Sequence, residues 1–122
     1  MFFRGAAVRV FVHREATDMR CSFGGLSVLV ESVLKEDPLS GQLFVFVNRK
    51  RDYVKVLYWE QSGYCLWSKR LEAGTYRVPD PGGEKIELGM TELSMMLEGF
   101  ELSKYRKRKR YERNKFGENI SR

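Results

Sequence analysis

Two clusters of basic residues are the clearest candidates for chemistry in this sequence, and that chemistry is the binding of a polyanion. The first is the segment 104–113, in which Tyr105 and Tyr111 interrupt a run of cations. Closely spaced Lys and Arg release counterions from a phosphate backbone, which supplies affinity for nucleic acid regardless of base sequence, and tyrosines can stack on bases. The alternative is a solubilising or nonspecific tail. The cations of this segment are Lys104, Arg106, Lys107, Arg108, Lys109, Arg110 and Arg113.

The second cluster is Arg49-Lys50-Arg51, at the tip of a predicted hairpin. Three cations on a short loop between two strands can clamp a phosphate or probe a DNA groove. Lys55 follows closely, and Lys69 and Arg70 on the next predicted strand can extend the same surface. The sequence therefore predicts DNA contact at these residues. The alternative is an ordinary charged turn that keeps a strand edge solvated.

Signatures of catalysis and of metal binding are missing from the sequence. The carboxylates fall near predicted loops or caps, with no motif that brings them together, and His13 has no Ser or Cys partner at a signature spacing. Cys21 and Cys65 are isolated and lack the C-x-x-C spacing of a metal site. We therefore expect reduced, partly buried thiols in a protein that is not an enzyme and that binds no cofactor and no metal.

The net charge of +6 is unevenly distributed. Residues 1–103 hold 13 Lys and Arg against 14 Asp and Glu, or −1, whereas residues 104–122 hold 9 against 2, or +7. This asymmetry predicts a single domain over 1–103 and a basic, flexible tail over 104–122. No apolar run approaches the ~18 residues of a membrane helix, and the start lacks the apolar core and cleavage site of a signal peptide. We therefore expect a cytoplasmic protein with no membrane contact.

The pattern of apolar residues predicts the elements that must position these side chains. Alternation predicts a strand near 7–13, and apolar residues spaced by three and four predict a helix near 22–35. The sequence Asp37-Pro38 ends this helix, because proline disfavours helical geometry in the residue before it. Further strands are predicted at 43–47, 53–59, 64–71, 75–78 and 85–88, and a second helix near 91–99.

Short turns join consecutive strands in this series, which favours a meander. The predicted fold class is therefore α+β, with an antiparallel sheet of about five strands packed against two helices. The strands are rich in aromatic residues, which either fill the core or form a surface that stacks on unpaired bases. These residues are Tyr53, Tyr58, Trp59, Tyr64 and Trp67.

A series of short segments runs through the chain in a distinctive order: Thr17-Asp18-Met19-Arg20, Phe23-Gly24-Gly25-Leu26, Asp37-Pro38-Leu39-Ser40-Gly41-Gln42-Leu43-Phe44-Val45-Phe46, Asn48-Arg49-Lys50-Arg51-Asp52, Lys55-Val56-Leu57-Tyr58-Trp59, Gly63-Tyr64-Cys65-Leu66-Trp67-Ser68-Lys69-Arg70-Leu71 and Leu93-Ser94-Met95-Met96-Leu97-Glu98-Gly99-Phe100. In this order they resemble the small accessory protein (TnpB, second open reading frame) of the insertion sequence sixty-six family of transposable elements. The resemblance covers about 7–100. It implies a role in DNA transposition, with the transposase of the same element as a partner, and it supplies no catalytic signature.

Two functions remain open from the sequence. In the first, the protein is a non-catalytic accessory that binds DNA through the loop 49–51 and the basic tail and helps to assemble the transposase on the element ends. In the second, it is a protein-interaction module that contacts the transposase without essential DNA binding, through an apolar patch around Met95, Met96 and Phe100.

The segment before the first helix has a structural and a functional interpretation. Asp18 and Arg20 can form a helix cap with a local ion pair, or they can contact DNA phosphate or the transposase. We favour the structural interpretation. For Gly24-Gly25, which lacks the spacing of a phosphate-binding loop, we expect close packing of the helix on the sheet.

Overall fold

The computed structural model describes residues 8–79, 82 and 85–98. They form one sheet and two helices, so the α+β prediction is confirmed. The predicted tail 104–122 and Phe100 lie outside the described residues. The elements in chain order are β1 (Val10–Val12), α1 (Phe23–Ser32), β2 (Leu43–Val47), β3 (Tyr53–Glu60), β4 (Gly63–Arg70), β5 (Ile86–Leu88) and α2 (Met90–Leu97). None of the helices in this described part is long and apolar enough to cross a membrane.

The sheet is mixed, with the strand order β4-β3-β2-β1-β5. The expected antiparallel meander is present in β2, β3 and β4. It does not extend to β1, which pairs parallel with β2 and antiparallel with β5. The physical reason is the connection, because α1 returns the chain to the end of the sheet where β1 started, and the next strand then runs in the same direction.

Each face of the sheet is covered by one helix. Because side chains alternate along a strand, neighbouring residues of β1 enter different cores. Phe11 packs with Leu26 and Val30 of α1, whereas Val10 and Val12 pack with the cluster that contains α2. Full burial of such side chains contributes about 1.5–3 kcal/mol each, so both helices are held by apolar contact.

The strand predicted at 75–78 is wrong, because this segment forms no strand. Tyr76 is fully buried instead, and its hydroxyl donates a hydrogen bond to the Lys69 carbonyl at 3.1 Å. This burial raises the pKa of Tyr76 to about 12. The alternating Tyr76 and Val78 therefore reflect a loop that inserts an aromatic ring into the core.

The expectation that Gly24 and Gly25 allow close packing of α1 on the sheet is also wrong. Both glycines are exposed. A Cβ added at Gly24 would meet no atom within 4 Å, and one at Gly25 would lie 3.4 Å from Cys21 Sγ. The residues that pack α1 on the sheet are Leu26 and Val30, so the glycine pair lies away from the core.

Candidate nucleic-acid interface

The loop between β2 and β3, which carries the cluster 49–51, is held by the side chain of Asn48. Its Oδ1 accepts hydrogen bonds from the amides of Asp52 at 3.0 Å and Tyr53 at 3.1 Å. Its Nδ2 donates to Asp52 Oδ1 at 2.8 Å, and the Arg51 amide donates to the Asn48 carbonyl at 3.1 Å. Side-chain bonds of this kind replace ladder bonds and fix a turn.

The segment after β4 holds the same loop from outside the hairpin. The Leu71 amide donates to the Asp52 carbonyl at 2.7 Å, and the Tyr76 amide donates to the Arg51 carbonyl at 2.6 Å. Arg51 has a φ of 62°, a left-handed conformation that costs a residue with a side chain about 1–2 kcal/mol. These hydrogen bonds hold Arg51 in that conformation, so the loop has one defined shape.

The three cations of the loop are exposed. Among the residues that the structure describes, no carboxylate forms an ion pair with Arg49, Lys50 or Arg51. The structure therefore presents three positive charges side by side on a fixed backbone.

Other cations of the chain are neutralised within the fold. Arg9 donates from Nε and Nη2 to the two carboxylate oxygens of Glu87, at 2.8 and 2.9 Å. These hydrogen bonds lower the pKa of Glu87 and raise that of Arg9. Lys85 forms an ion pair with Glu36. Paired charges of this kind add little attraction for a distant polyanion, in contrast to the loop.

Asp18 and Arg20 form the local ion pair that the sequence analysis favours, but they do not cap α1, because the N-cap residue is Ser22 and it makes no side-chain cap hydrogen bond. The backbone amide of Arg20 donates to Asp18 Oδ1 at 2.9 Å, and the side-chain Nη2 of Arg20 donates to Asp18 Oδ2 at 2.6 Å. Hydrogen bonds from the Arg20 side chain and amide lower the pKa of Asp18 to about 2. An exposed pair shapes the loop more than it stabilises the fold. Contact of either residue with DNA or the transposase stays a prediction.

Lys55 is directed into the protein. Its side chain lies in β3 with the residue only 9% exposed, and its ammonium donates to the carbonyls of Met19 at 2.7 Å and Cys21 at 2.8 Å. Lys55 thus ties the segment before α1 to the sheet. The geometry favours this structural role, and DNA contact at Lys55 stays an untested prediction.

Lys69 and Arg70 lie on opposite faces of β4, because neighbouring side chains of a strand alternate. The Arg70 guanidinium stacks on the ring of Tyr53, with its carbon 4.6 Å from the ring centroid. The Lys69 ammonium donates to the Leu97 carbonyl at 3.0 Å, at the end of α2 where a cation is favourable. Since Tyr53 pairs with Arg70, Arg70 lies at the end of the sheet where the loop 49–51 begins.

The structure adds residues that the sequence analysis did not place at this end of the sheet. Because β1 and β2 run parallel, the segments that follow them meet, and His13 and Arg14 line a cleft with Arg49 and Arg51. The cleft is open to solvent, and the empty space in it and at its mouth together is about 260 Å³. The sequence did contain a signal for this arrangement. It was the predicted helix between the two strands, because a helical crossover favours parallel pairing.

The aromatic residues of β3 and β4 belong mainly to the core. Tyr58 is 9% exposed, Tyr64 packs against the α1 cluster and Trp67 against the α2 cluster. Trp59 and Tyr64 meet edge to face, with centroids 5.1 Å apart. These contacts favour the core interpretation over a surface that stacks on bases.

The residues of the sequence analysis that remain to be placed are the two cysteines and the basic tail. Cys21 and Cys65 are free, half-buried thiols, and within the described ranges no group of three His, Cys, Asp or Glu side chains could hold a metal ion. The predicted basic tail lies outside the described residues. Its cations are Lys104, Arg106, Lys107, Arg108, Lys109, Arg110 and Arg113.

Comparison with known proteins identifies the family. The family described as IS66 Orf2-like protein matches residues 8–107. Two proteins of Sinorhizobium fredii, both uncharacterized, are similar: y4hO is 40% identical over 97 residues, which cover 80% of this chain and 84% of the relative. The other, y4jC, is 30% identical over 101 residues, which cover 83% of this chain and 86% of the relative. No solved structure matches the chain significantly. The chain therefore belongs to the IS66 Orf2-like family of insertion-sequence accessory proteins, which has no known enzymatic activity and is associated with transposition.

Proposed function

We propose that this protein is a non-catalytic transposition accessory that binds DNA through the loop 49–51 and the basic segment 104–113. The observation that supports this most directly is the loop itself. It combines three exposed cations with a backbone that Asn48 and the segment after β4 hold in one conformation.

The two basic segments have different roles in DNA binding. The segment 104–113 is dense in charge, so it supplies affinity for any phosphate backbone. Arg49 and Arg51 supply orientation, because a guanidinium can bond a phosphate or a guanine edge through two parallel N–H groups. DNA held in a defined orientation then allows the transposase of the same element to assemble on the element ends, in the cytoplasm.

A binding assay across a series of salt concentrations tests this division. Deletion of 104–113 is expected to weaken binding to element-end and scrambled duplexes alike, and to reduce the slope of log affinity against log salt by about 0.9 for each lost phosphate contact. The matched variant, Arg49→Ala with Arg51→Ala, is expected to lose less nonspecific affinity and to impair transposition strongly. If this variant folds and transposes normally, the orienting role is wrong.

A second candidate function is binding to the transposase without essential DNA contact, and exposed apolar residues favour it. Phe23 and Val28 of α1 are 44% and 58% exposed, and Val33 and Leu39, which follow α1, are 49% and 51% exposed. None of these residues belongs to the patch expected around Met95 and Met96, of which Met96 is 1% exposed and belongs to the core.

Copurification with the transposase separates the two candidates. Under the second function, Val28→Asp abolishes copurification and transposition and leaves DNA affinity unchanged, because Val28 faces solvent. Ser32→Asp, on the same helix and also exposed, is the matched control for the added charge. Normal copurification of the Val28→Asp protein excludes Val28 as a contact with the transposase.

A further inference from the structure

The cleft beside the basic loop lies between the segments that follow two adjacent parallel strands. One wall comes from the residues after β1, and the other from the residues after β2. The polar residues of its lining are His13, Arg14, Glu15, Asn48, Arg49 and Arg51. Because β1 and β2 are parallel neighbours, the segments that follow them leave the same end of the sheet and form the two sides of the cleft.

Charge makes the cleft selective for anions. Its described lining contains three arginines against one glutamate. Arg49 and Arg51 come from the fixed β2–β3 loop, and both are exposed. Lys50 lies between them in the sequence but does not line the cleft. The loop therefore places Arg49 and Arg51 in the lining of the cleft and leaves Lys50 outside it.

The opposite wall is as firmly placed as the loop. The His13 amide donates to the Val45 carbonyl at 2.9 Å, and the His13 ring meets Phe46 edge to face at 5.9 Å between centroids. His13 is only 8% exposed. Two walls that are each tied to β2 form a cleft of fixed width, which suits a compact ligand.

The conformation of Arg51 points the same way. Arg51 keeps a positive φ, where glycine or asparagine would be less strained. Local backbone strain is found preferentially at binding sites, where the surrounding structure enforces it. Arg51 thus combines a positive φ, which Lys35 and Gln61 share, with a place in the lining of the cleft.

We infer that this cleft is a phosphate-binding site that seats one phosphate group of a nucleic-acid strand between Arg49 and Arg51. The inference rests on the proposed DNA binding and deepens it, since it selects two of the three loop cations and assigns the third only a general electrostatic effect. A planar guanidinium can donate two parallel bonds to phosphate oxygens, whereas an ammonium acts as a point charge.

Two variants that remove equal charge test the site. Arg51→Gln is expected to weaken binding of a short oligonucleotide about tenfold, as loss of an oriented contact does, whereas Lys50→Gln is expected to weaken it about twofold. Glutamine is compatible with the backbone here, because Gln61 already has a φ of 55°. Amide NMR spectra of both variants show whether each is folded.

The same spectra locate the ligand. Adding the oligonucleotide to the wild-type protein is expected to shift the amides of 13–16 and 48–52 most. The single histidine of the chain is a second reporter, because a phosphate in the cleft raises the pKa of His13. Inorganic phosphate, used as a separate probe, is expected to shift the same amides more weakly, and this distinguishes a free phosphate from one carried by a strand.

The outcomes separate the cleft from DNA binding in general. If Arg51→Gln and Lys50→Gln weaken oligonucleotide binding equally, the loop binds DNA but the cleft is not a phosphate site. If the wild-type protein binds no oligonucleotide and inorganic phosphate shifts no cleft amide, the proposed function and the inference both fail. If inorganic phosphate alone shifts the cleft amides, the site stands and the proposed DNA binding fails.

Discussion

The ammonium of Lys55 donates a hydrogen bond of 2.7 Å to the backbone carbonyl of Met19, which lies 36 positions earlier in the chain. The same ammonium also reaches the Cys21 carbonyl at 2.8 Å. Both carbonyls belong to the segment that leads into α1. A cation from the middle of the sheet therefore fixes the point where the helix begins.

Replacing Lys55 with Met is expected to lower the free energy of unfolding by about 1.5–3 kcal/mol, the range for hydrogen bonds that involve a charged group. The apolar stem is kept, so the change removes only the donors. Urea denaturation measures the effect. Lys50→Met, at an exposed position, is the control and is expected to change stability by less than about 0.5 kcal/mol. Equal midpoints for the two variants would show that the Met19 and Cys21 bonds contribute nothing.

Replacing Arg51 with Gly is expected to maintain or raise stability and to weaken DNA binding. Release of the left-handed strain gains about 1–2 kcal/mol, and the extra backbone entropy of glycine costs about 0.5–1 kcal/mol. Arg51→Ala is the control, since it loses the guanidinium but keeps the strain. Thermal denaturation and oligonucleotide binding measure both properties. A clear loss of stability in Arg51→Gly would mean that the arginine stabilises the turn.

The fold is expected to lose stability as the pH falls below about 6.5, and His13 is the cause. Burial lowers the pKa of His13 from its ordinary value of 6.5, so the unfolded chain takes up a proton more readily than the folded chain. The contribution is complete above the unfolded pKa and decreases as the pH drops toward the folded pKa. His13→Gln is expected to remove this dependence. Urea midpoints of both proteins on either side of pH 6.5 provide the measurement, and parallel pH dependences would contradict it.

Replacing Gly24 with Ala is expected to stabilise the protein by somewhat less than the about 0.5–1 kcal/mol of a helix interior, because Gly24 is the second residue of α1. The added methyl group meets no atom within 4 Å. Gly25→Ala is the comparison, since its methyl group would lie 3.4 Å from Cys21 Sγ, and its gain is expected to be smaller. Melting temperatures measured by calorimetry compare the stability of the two variants. A lower melting temperature for Gly24→Ala would show that this position needs glycine.

The sequence predicts the elements of this fold better than their arrangement. The apolar run at Leu43–Val47 predicts a strand covered on both faces, and all five of its residues are buried. The same kind of pattern wrongly predicts a strand at 75–78. The alternation of Tyr76 and Val78 reflects the burial of these side chains, and it does not show whether a neighbouring strand is available for hydrogen bonding. Pairing of β1 with β2 and β5 depends on contacts between distant residues, which no local pattern contains.

The candidate site, too, could be predicted from the sequence only in part. The position of Arg49-Lys50-Arg51 in a loop follows from composition, and the structure has them there. The opposite directions of Lys69 and Arg70 also follow from strand alternation, which the sequence analysis did not apply. The burial of Lys55 does not follow, because its partners are carbonyls of Met19 and Cys21, and any residue type supplies a carbonyl.

The place of β1 between β2 and β5 has a kinetic consequence. Its three residues pair with Leu43–Val45 on one side and Ile86–Leu88 on the other, whereas β2, β3 and β4 are joined by short turns. Ordering a longer intervening chain costs more entropy and slows folding, so the three-stranded meander is expected to form first, with β1 and then β5 added to its edge. In stopped-flow experiments, Val56→Ala should therefore slow refolding, whereas Val12→Ala should mainly accelerate unfolding. The first strand of the chain thus joins the sheet late, and until then β2 offers an open edge to any other chain.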